Sequence, residues 1–169
     1  MMQEQQFGKE FHIQICNMKI SKQGLELIKG FEKFMAKPYI DAVGKPTIGY
    51  GNTYYLDGQK VTMQDSPLTE AQATILLETI FDKDFAKFIP QNVNQNQFDA
   101  MASLIYNIGA GAFNGSTLRK KVIANPNDLS IEQEFWKWNK GRKNGQLVEL
   151  RGLTIRRKKE SELYFKPVL

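Results

Sequence analysis

Glu32, Asp41 and Thr47 stand nine and then six residues apart, and all three side chains are suited to handling protons. A pair of carboxyl groups, one protonated and one ionised, is the usual machinery of glycosidic bond hydrolysis. The acid protonates the departing oxygen, and the carboxylate supports the positive charge that develops on the sugar. On a helical wheel Glu32 falls about 20° from Leu25 and about 40° from Ile28, so it shares a face with apolar residues. Desolvation of that kind disfavours the charged carboxylate and lets a glutamate keep its proton near neutrality, as a general acid must. Each residue also has a plainer reading. Glu32 can be a helix glutamate paired with Lys29 or Lys33, and Asp41 a turn residue ahead of Gly44. Thr47 can orient a water, or be a β-former facing solvent.

Other chemistries find less support. The single histidine, His12, and the single cysteine, Cys16, both lie in the first 16 residues. They leave no credible zinc site and no intramolecular disulfide. A Ser-His-Asp or Cys-His arrangement would need that stretch to fold back onto the rest of the chain. Gly49-Tyr50-Gly51 lacks the helix and the further glycines of a phosphate-binding loop.

The elements that must position these residues follow from local signals. Ser21 is suited to cap a helix running to about Lys37, with Pro38 ending it. Strand and turn character follows over Tyr39 to Val43, Lys45 to Gly51 and Thr53 to Thr62, and Asp57-Gly58 is a two-residue hairpin signal. Thr69-x-x-Gln72 reads as a capping box, after which Ala73, Leu77, Phe81, Phe85 and Phe88 recur at helical spacing up to Pro90. Asn94-x-x-Gln97 opens a helix that Gly109 closes. Ser116 caps a short helix to Ala124, Ser130-x-x-Gln133 opens another, and a last helix spans Leu150 to Tyr164. This order predicts an α+β fold, with a small antiparallel β lobe, a larger helical lobe and a cleft between them. Residues 1–20 read as an N-terminal extension without chemistry of its own, and residues 21–169 as one domain.

The chain has 169 residues, 41% hydrophobic and 24% charged, enough for one domain with a substantial core. No run of 18 apolar residues is present, which argues against a transmembrane helix. The N-terminus lacks the basic start and apolar stretch of a signal peptide. The net charge of +5 is unevenly spread. Residues 1–118 hold 10 Lys and Arg against 12 Asp and Glu, and residues 119–169 hold 13 against 6. A basic C-terminal third suggests a polyanionic partner such as nucleic acid, anionic lipid or cell wall, or else simply a solvated surface.

Three stretches resemble a known family. Phe31-Glu32, Tyr39-Ile-Asp41, Gly44 and Thr47-Ile-Gly-Tyr-Gly51 are similar to the active-site segment of the phage-type lysozymes, or endolysins, of glycoside hydrolase family 24. Phe98 to Leu118 resembles the family's central helix and following turn, and Arg151-Gly-Leu-Thr-Ile-Arg156-Arg157-Lys-Lys-Glu160 its C-terminal motif. Together they cover about residues 21–165. The resemblance implies a lysozyme-like fold. It also implies cleavage of the β-1,4 bond between N-acetylmuramic acid and N-acetylglucosamine in peptidoglycan, leaning towards inversion, with no metal or cofactor. By position it makes Glu32 the general acid, Asp41 the second catalytic carboxylate and Thr47 the residue positioning the water. Asn52 stands where the family usually has a histidine. Arg151 is a candidate to approach Glu32 and hold its carboxyl, and so to bind substrate.

Two other functions compete with hydrolysis. A lytic transglycosylase would use the acid on the same substrate and leave an anhydro sugar. A non-enzymatic basic module would bind cell wall or nucleic acid through the C-terminal cations, Trp136 and Trp138, but no nucleic-acid motif accompanies them and no nucleic-acid partner is expected. The expected enzyme is a monomer, made in the bacterial host cytoplasm and acting on periplasmic peptidoglycan after release.

Overall fold

Ser21 opens the first helix, α1 (Lys22–Phe31), by accepting the Gly24 N–H on its hydroxyl oxygen. A cap of this kind contributes about 1 kcal/mol. The same serine donates its own N–H and its hydroxyl to Asp99 of the central helix, which fixes the start of α1 against the core. Gly24 makes this approach possible, because a Cβ there would sit 2.7 Å from Asp99 Oδ1. The computed structural model describes residues 17–169. Of the expected extension, His12 and Cys16 lie outside the described residues. The boundary at residue 20 does not coincide with a structural break. Ile20 is buried in the core, its N–H bonds Asp82 Oδ1, and Met18 packs alongside.

The first helix is shorter than its sequence suggests. It ends at Phe31, with Glu32 as an extended C-cap whose N–H still reaches Ile28 O. Pro38 does not terminate a helix but sits in strand β1 (Met35–Ile40), which pairs antiparallel with β2 (Pro46–Gly49). A two-stranded sheet leaves an edge free, and a register irregularity between Met35 and Tyr39 spares the proline's missing N–H. The Asp57-Gly58 turn forms, but its arms pair only through the bridge Tyr54–Lys60, with bonds from Tyr55 N–H to Gln59 O and from Val61 N–H to Thr53 O. Ile48, Val61, Leu76 and Ile80 make a small core beneath this lobe.

Helix α2 (Glu70–Ile80) starts with the expected Thr69/Gln72 capping box. The apolar series that follows does not continue as one α-helix. Phe81–Phe85 form a π-helical turn and Ala86–Phe88 a 3-10 turn. Helix α3 (Gln95–Ile108) has the expected Asn94/Gln97 capping box and ends at Gly109, whose φ of +88° suits glycine. It is buried from Gln97 to Ile105 and packs against both α1 and the last helix. Two short helices follow, α4 (Ala110–Asn114) and α5 (Thr117–Ala124), the second capped by Ser116.

Helix α6 (Ile131–Trp136) forms without the expected Ser130 cap: Ser130 has helical backbone angles, φ −68° and ψ −10°, where a capping residue is extended, and its Oγ accepts from Lys121 Nζ. The strands β3 (Lys140–Lys143) and β4 (Gln146–Glu149) form a second hairpin around Asn144-Gly145, with φ of +50° and +78°. That dipeptide is the same kind of turn signal as Asp57-Gly58 and is legible in the sequence. Helix α7 (Arg151–Tyr164) closes the helical lobe. The architecture is the expected α+β arrangement of a small β lobe and a larger helical lobe, with the addition of this hairpin.

Candidate active site

A cavity of about 240 Å³ lies between the lobes, with Glu32, Asn52, Thr53, Tyr54, Phe85 and Tyr106 among its walls. Glu32 reaches it because α1 stops one residue earlier and leaves the glutamate at the helix end, its side chain 26% exposed. Its surroundings are not the apolar ones that the wheel suggested. Arg156 Nη1 donates to Glu32 Oε1 at 2.6 Å. The other oxygen, Oε2, faces Gly51, where an added Cβ would come within 3.9 Å. Gly51 has φ of +93°, so glycine is favoured there on conformational grounds too.

The contact suggested for Arg151 is thus made by Arg156, farther along α7, while Arg151 itself is exposed at the start of that helix. The buried face of α7 carries Arg156, Arg157 and Glu160. Arg156 also donates from Nε to Glu160 Oε1 at 3.1 Å and from Nη2 to Ser103 O at 2.9 Å. Its guanidinium stacks 4.9 Å from the centre of the Phe31 ring. Glu160 Oε1 further accepts from Ser103 Oγ at 2.6 Å and from Arg157 Nη2 at 2.8 Å. Arg157 Nε lies 2.7 Å from Glu160 Oε2, but its N–H does not point along that line, so this contact is ionic. Burial pushes the Glu160 carboxyl up, and the two guanidiniums oppose it. Glu160 faces both guanidiniums and Arg156 is also held by Glu32 and Ser103, so each buried charge in this cluster has a partner at the base of the cleft.

Asp41 sits in the β1–β2 turn. Its Oδ1 accepts the N–H groups of Val43 at 2.9 Å and Lys45 at 2.8 Å. The turn role is therefore real and occupies one oxygen, while Oδ2 takes part in neither bond. Thr47 does not face solvent. It is 3% exposed, pairs across the sheet with Tyr39, and donates its hydroxyl to Lys45 O at 3.0 Å. The Thr47 oxygen is left as an acceptor. Burial and then the charges of Glu32 and Asp41 push the Tyr39 phenol up. Asp41 and Thr47 do not line the 240 Å³ cavity itself; they stand on the β1–β2 hairpin.

Tyrosines frame the rest. Tyr106 donates to Tyr50 O at 2.6 Å, and burial, then the Glu32 charge, push its phenol up. Tyr54 donates to Asp84 Oδ2 at 2.7 Å, and burial with this bond pushes its phenol up to about 12. Both are fixed neutral donors near neutrality and neither can serve as a base. The π turn places Asp84 under Tyr54, and Phe85 6.0 Å from Tyr106 between ring centres. Asn52 is buried, and its Oδ1 has no hydrogen-bond partner among the described residues.

Sequence reasoning missed Arg156, Glu160 and Ser103 as parts of the site. Their signal is a helix whose inward face, at positions 156, 157 and 160, is charged instead of apolar. The same cluster explains part of the basic C-terminal third. Arg156 and Arg157 point inward, and Lys121 and Lys137 pair with the buried Glu134 at 2.9 and 2.7 Å.

Known proteins resemble this chain in both sequence and structure. Residues 29–160 match the family model described as phage lysozyme. The endolysin of Acyrthosiphon pisum secondary endosymbiont phage 1 is 41% identical over 153 residues, covering 87% of this chain and 98% of the relative. The endolysin of Salmonella phage P22 is 33% identical, with the same coverage. Among solved structures, an endolysin from Escherichia coli O157:H7 phage FAHEc1 superposes with a TM-score of 0.77 at 36% identity, over 89% of this chain and 96% of that one. The muramidase domain of SpmX from Asticaccaulis excentricus superposes with a TM-score of 0.72 at 30% identity, over 88% and 99%. Matched along most of its length by sequence and by fold, the chain belongs to the phage lysozyme family.

Proposed function

We infer that this protein is a peptidoglycan-hydrolysing lysozyme that cleaves the β-1,4 bond between N-acetylmuramic acid and N-acetylglucosamine. The observation that carries this reading is the state of the Glu32 carboxyl. One oxygen is tied to Arg156 at 2.6 Å and the other faces the cleft. A carboxyl held by one oxygen delivers its proton from the other in a fixed direction, which is the positioning that general-acid catalysis needs.

In this mechanism Glu32 Oε2 carries the proton and gives it to the bridging oxygen as the bond to the anomeric carbon breaks. Charge develops on the sugar ring as in an oxocarbenium ion, and the free Asp41 oxygen stabilises it from the sheet side. A water donating one proton to the Thr47 oxygen attacks the anomeric carbon and passes its other proton to Asp41. Support for Asp41 and Thr47 comes from their unused acceptor atoms on the β1–β2 hairpin. The lone Asn52 acceptor offers a partner to an N–H of an acetamido group.

The described residues of one chain carry every group in this scheme, so a monomer suffices. No helix among them is long and apolar enough to cross a membrane. The substrate lies outside the cytoplasmic membrane, so a protein made in the host cytoplasm acts on it after release into the periplasm. Several C-terminal cations are spent internally, which favours the enzyme over a nucleic-acid-binding module. The test is turbidity loss of outer-membrane-permeabilised Gram-negative cells with the parent and Glu32→Gln, with mass spectrometry of the released muropeptides. Loss of at least about 10²-fold activity in the variant and water-added reducing ends from the parent are expected. An active Glu32→Gln protein, or anhydro products alone, would overturn the reading.

A further inference from the structure

Beside the catalytic cavity, and sharing Thr53 and Tyr54 as a common wall, lies a second depression of about 520 Å³. It is lined by the tips of the β lobe: Gly44, Lys45 and Pro46 from one turn, and Gly58, Lys60 and Val61 from the other. The turn geometry holds both lysines at its rim. Lys45 is pinned at its backbone, donating N–H to Asp41 Oδ1 and accepting Asp41 N–H on its carbonyl. Lys60 is pinned by its bridge to Tyr54, whose hydroxyl is itself bonded to Asp84. Neither ammonium makes an ion pair among the described residues. The carboxylates on the same two turns are engaged by backbone: Asp41 by Val43 and Lys45, and Asp57 by the Gln59 N–H.

We propose that this depression is a subsite for a carboxylate of the peptide attached to the muramyl sugar, held by Lys45 and Lys60. The inference rests on the peptidoglycan reading above and extends it. In the glycan both sugars are neutral apart from the lactyl group of the muramyl residue, and that group is capped by the peptide. The free carboxylates of the peptide are then the anionic groups that a pair of cations next to the scissile bond can recognise. Because the depression adjoins the catalytic cavity through Thr53 and Tyr54, a strand seated over Glu32 brings a muramyl peptide to the β-lobe tips. Exposed cations at such a rim give selectivity and encounter rate more than tight binding, and each is worth a few-fold.

The test is a two-by-two comparison on purified peptidoglycan. One half of the substrate keeps its peptide carboxylates, and the other has them converted to methylamides with carbodiimide and methylamine. The parent and the Lys45→Ala/Lys60→Ala double variant are assayed on each by release of reducing ends, with Lys45→Arg/Lys60→Arg as the charge-retaining control. The double variant is expected to lose about fivefold to tenfold in kcat/KM on native substrate, mostly through KM, and the arginine variant to lose far less. Amidation is expected to reduce the parent by a similar factor and to leave the double alanine variant unchanged. If amidation hurts the double variant as much as the parent, or if the variant loses nothing on native substrate, the subsite is refuted. If the parent releases no reducing ends from either substrate, the muramidase reading itself fails, which is a different result. Both lysines are exposed, and melting temperatures matching the parent's check that the variants fold.

Discussion

Arg156→Met is the substitution that most directly tests how the acid is held. Methionine keeps the length and much of the apolar stem of arginine, so the packing of α7 against α3 survives while the charge goes. The variant removes the donor to Glu32 and one of the two guanidiniums around Glu160. Breaking a buried ion pair from one side costs about 3–5 kcal/mol. Glu160 keeps Arg157 and the Ser103 hydroxyl, so the lower end, about 3 kcal/mol, is the appropriate figure. For a chain of this size that lowers the melting midpoint by roughly 6–12 °C. Activity falls for a separate reason. With Oε1 released, the Glu32 carboxyl no longer presents Oε2 in one direction, and misplacement of this kind costs about 10²-fold in rate. Arg156→Lys retains a cation without the guanidinium fork and is expected to fall between the two. Denaturant unfolding and reducing-end release, measured on the same preparations, separate the effects. A variant with lost stability but kcat within about threefold of the parent would show that Glu32 is not oriented by Arg156, and the positioning argument would be wrong.

Other predictions are more local. Gly24→Ala is expected to lose about 1–3 kcal/mol in denaturant unfolding, because its Cβ meets the Asp99 carboxyl at 2.7 Å; an unchanged midpoint would count against that close approach. Asp41→Asn keeps an acceptor for the Val43 and Lys45 N–H groups, so it should fold normally yet lose activity, and its loss should not multiply with that of Glu32→Gln if the two carboxyls act as a unit. Burial raises Glu134, but the ammoniums of Lys137 and Lys121 outweigh it and hold the carboxyl below its ordinary 4.5. A depressed folded-state value gives stability that is present above 4.5 and lost as pH falls through the lower folded value. Glu134→Gln should therefore flatten the acid limb of a stability–pH curve, and a limb as steep as the parent's would contradict the assignment.

Local signals were the most legible part of the sequence. The capping boxes at Thr69/Gln72 and Asn94/Gln97 form as read, because each needs only groups three residues apart. Ser130 carries the same pattern and fails, since its backbone is helical instead of extended and its hydroxyl meets Lys121 of another helix. The wheel brought Glu32 to an apolar face but could not reveal its partner, which is 124 residues away. Extending α1 to Pro38 treated proline as a stop signal, whereas a two-stranded sheet has an edge where proline is tolerated. The aromatic series after Thr69 has helical spacing, yet periodicity alone does not separate an α turn from the π turn at Phe81–Phe85. Asp41 and Thr47 are ambiguous in sequence between structural and chemical roles: Asp41 commits one oxygen to the turn and keeps the other, and Thr47 commits its hydroxyl hydrogen and keeps its oxygen as an acceptor.

The pairing of Glu32 with Arg156 has a consequence for the order in which the protein is made. Glu32 emerges from the ribosome 124 residues ahead of its guanidinium partner. A growing chain therefore holds Glu32 without this partner until α7 has been synthesised and docked. Products of premature termination, or of proteolysis ahead of α7, would lack this anchor even where the rest had folded.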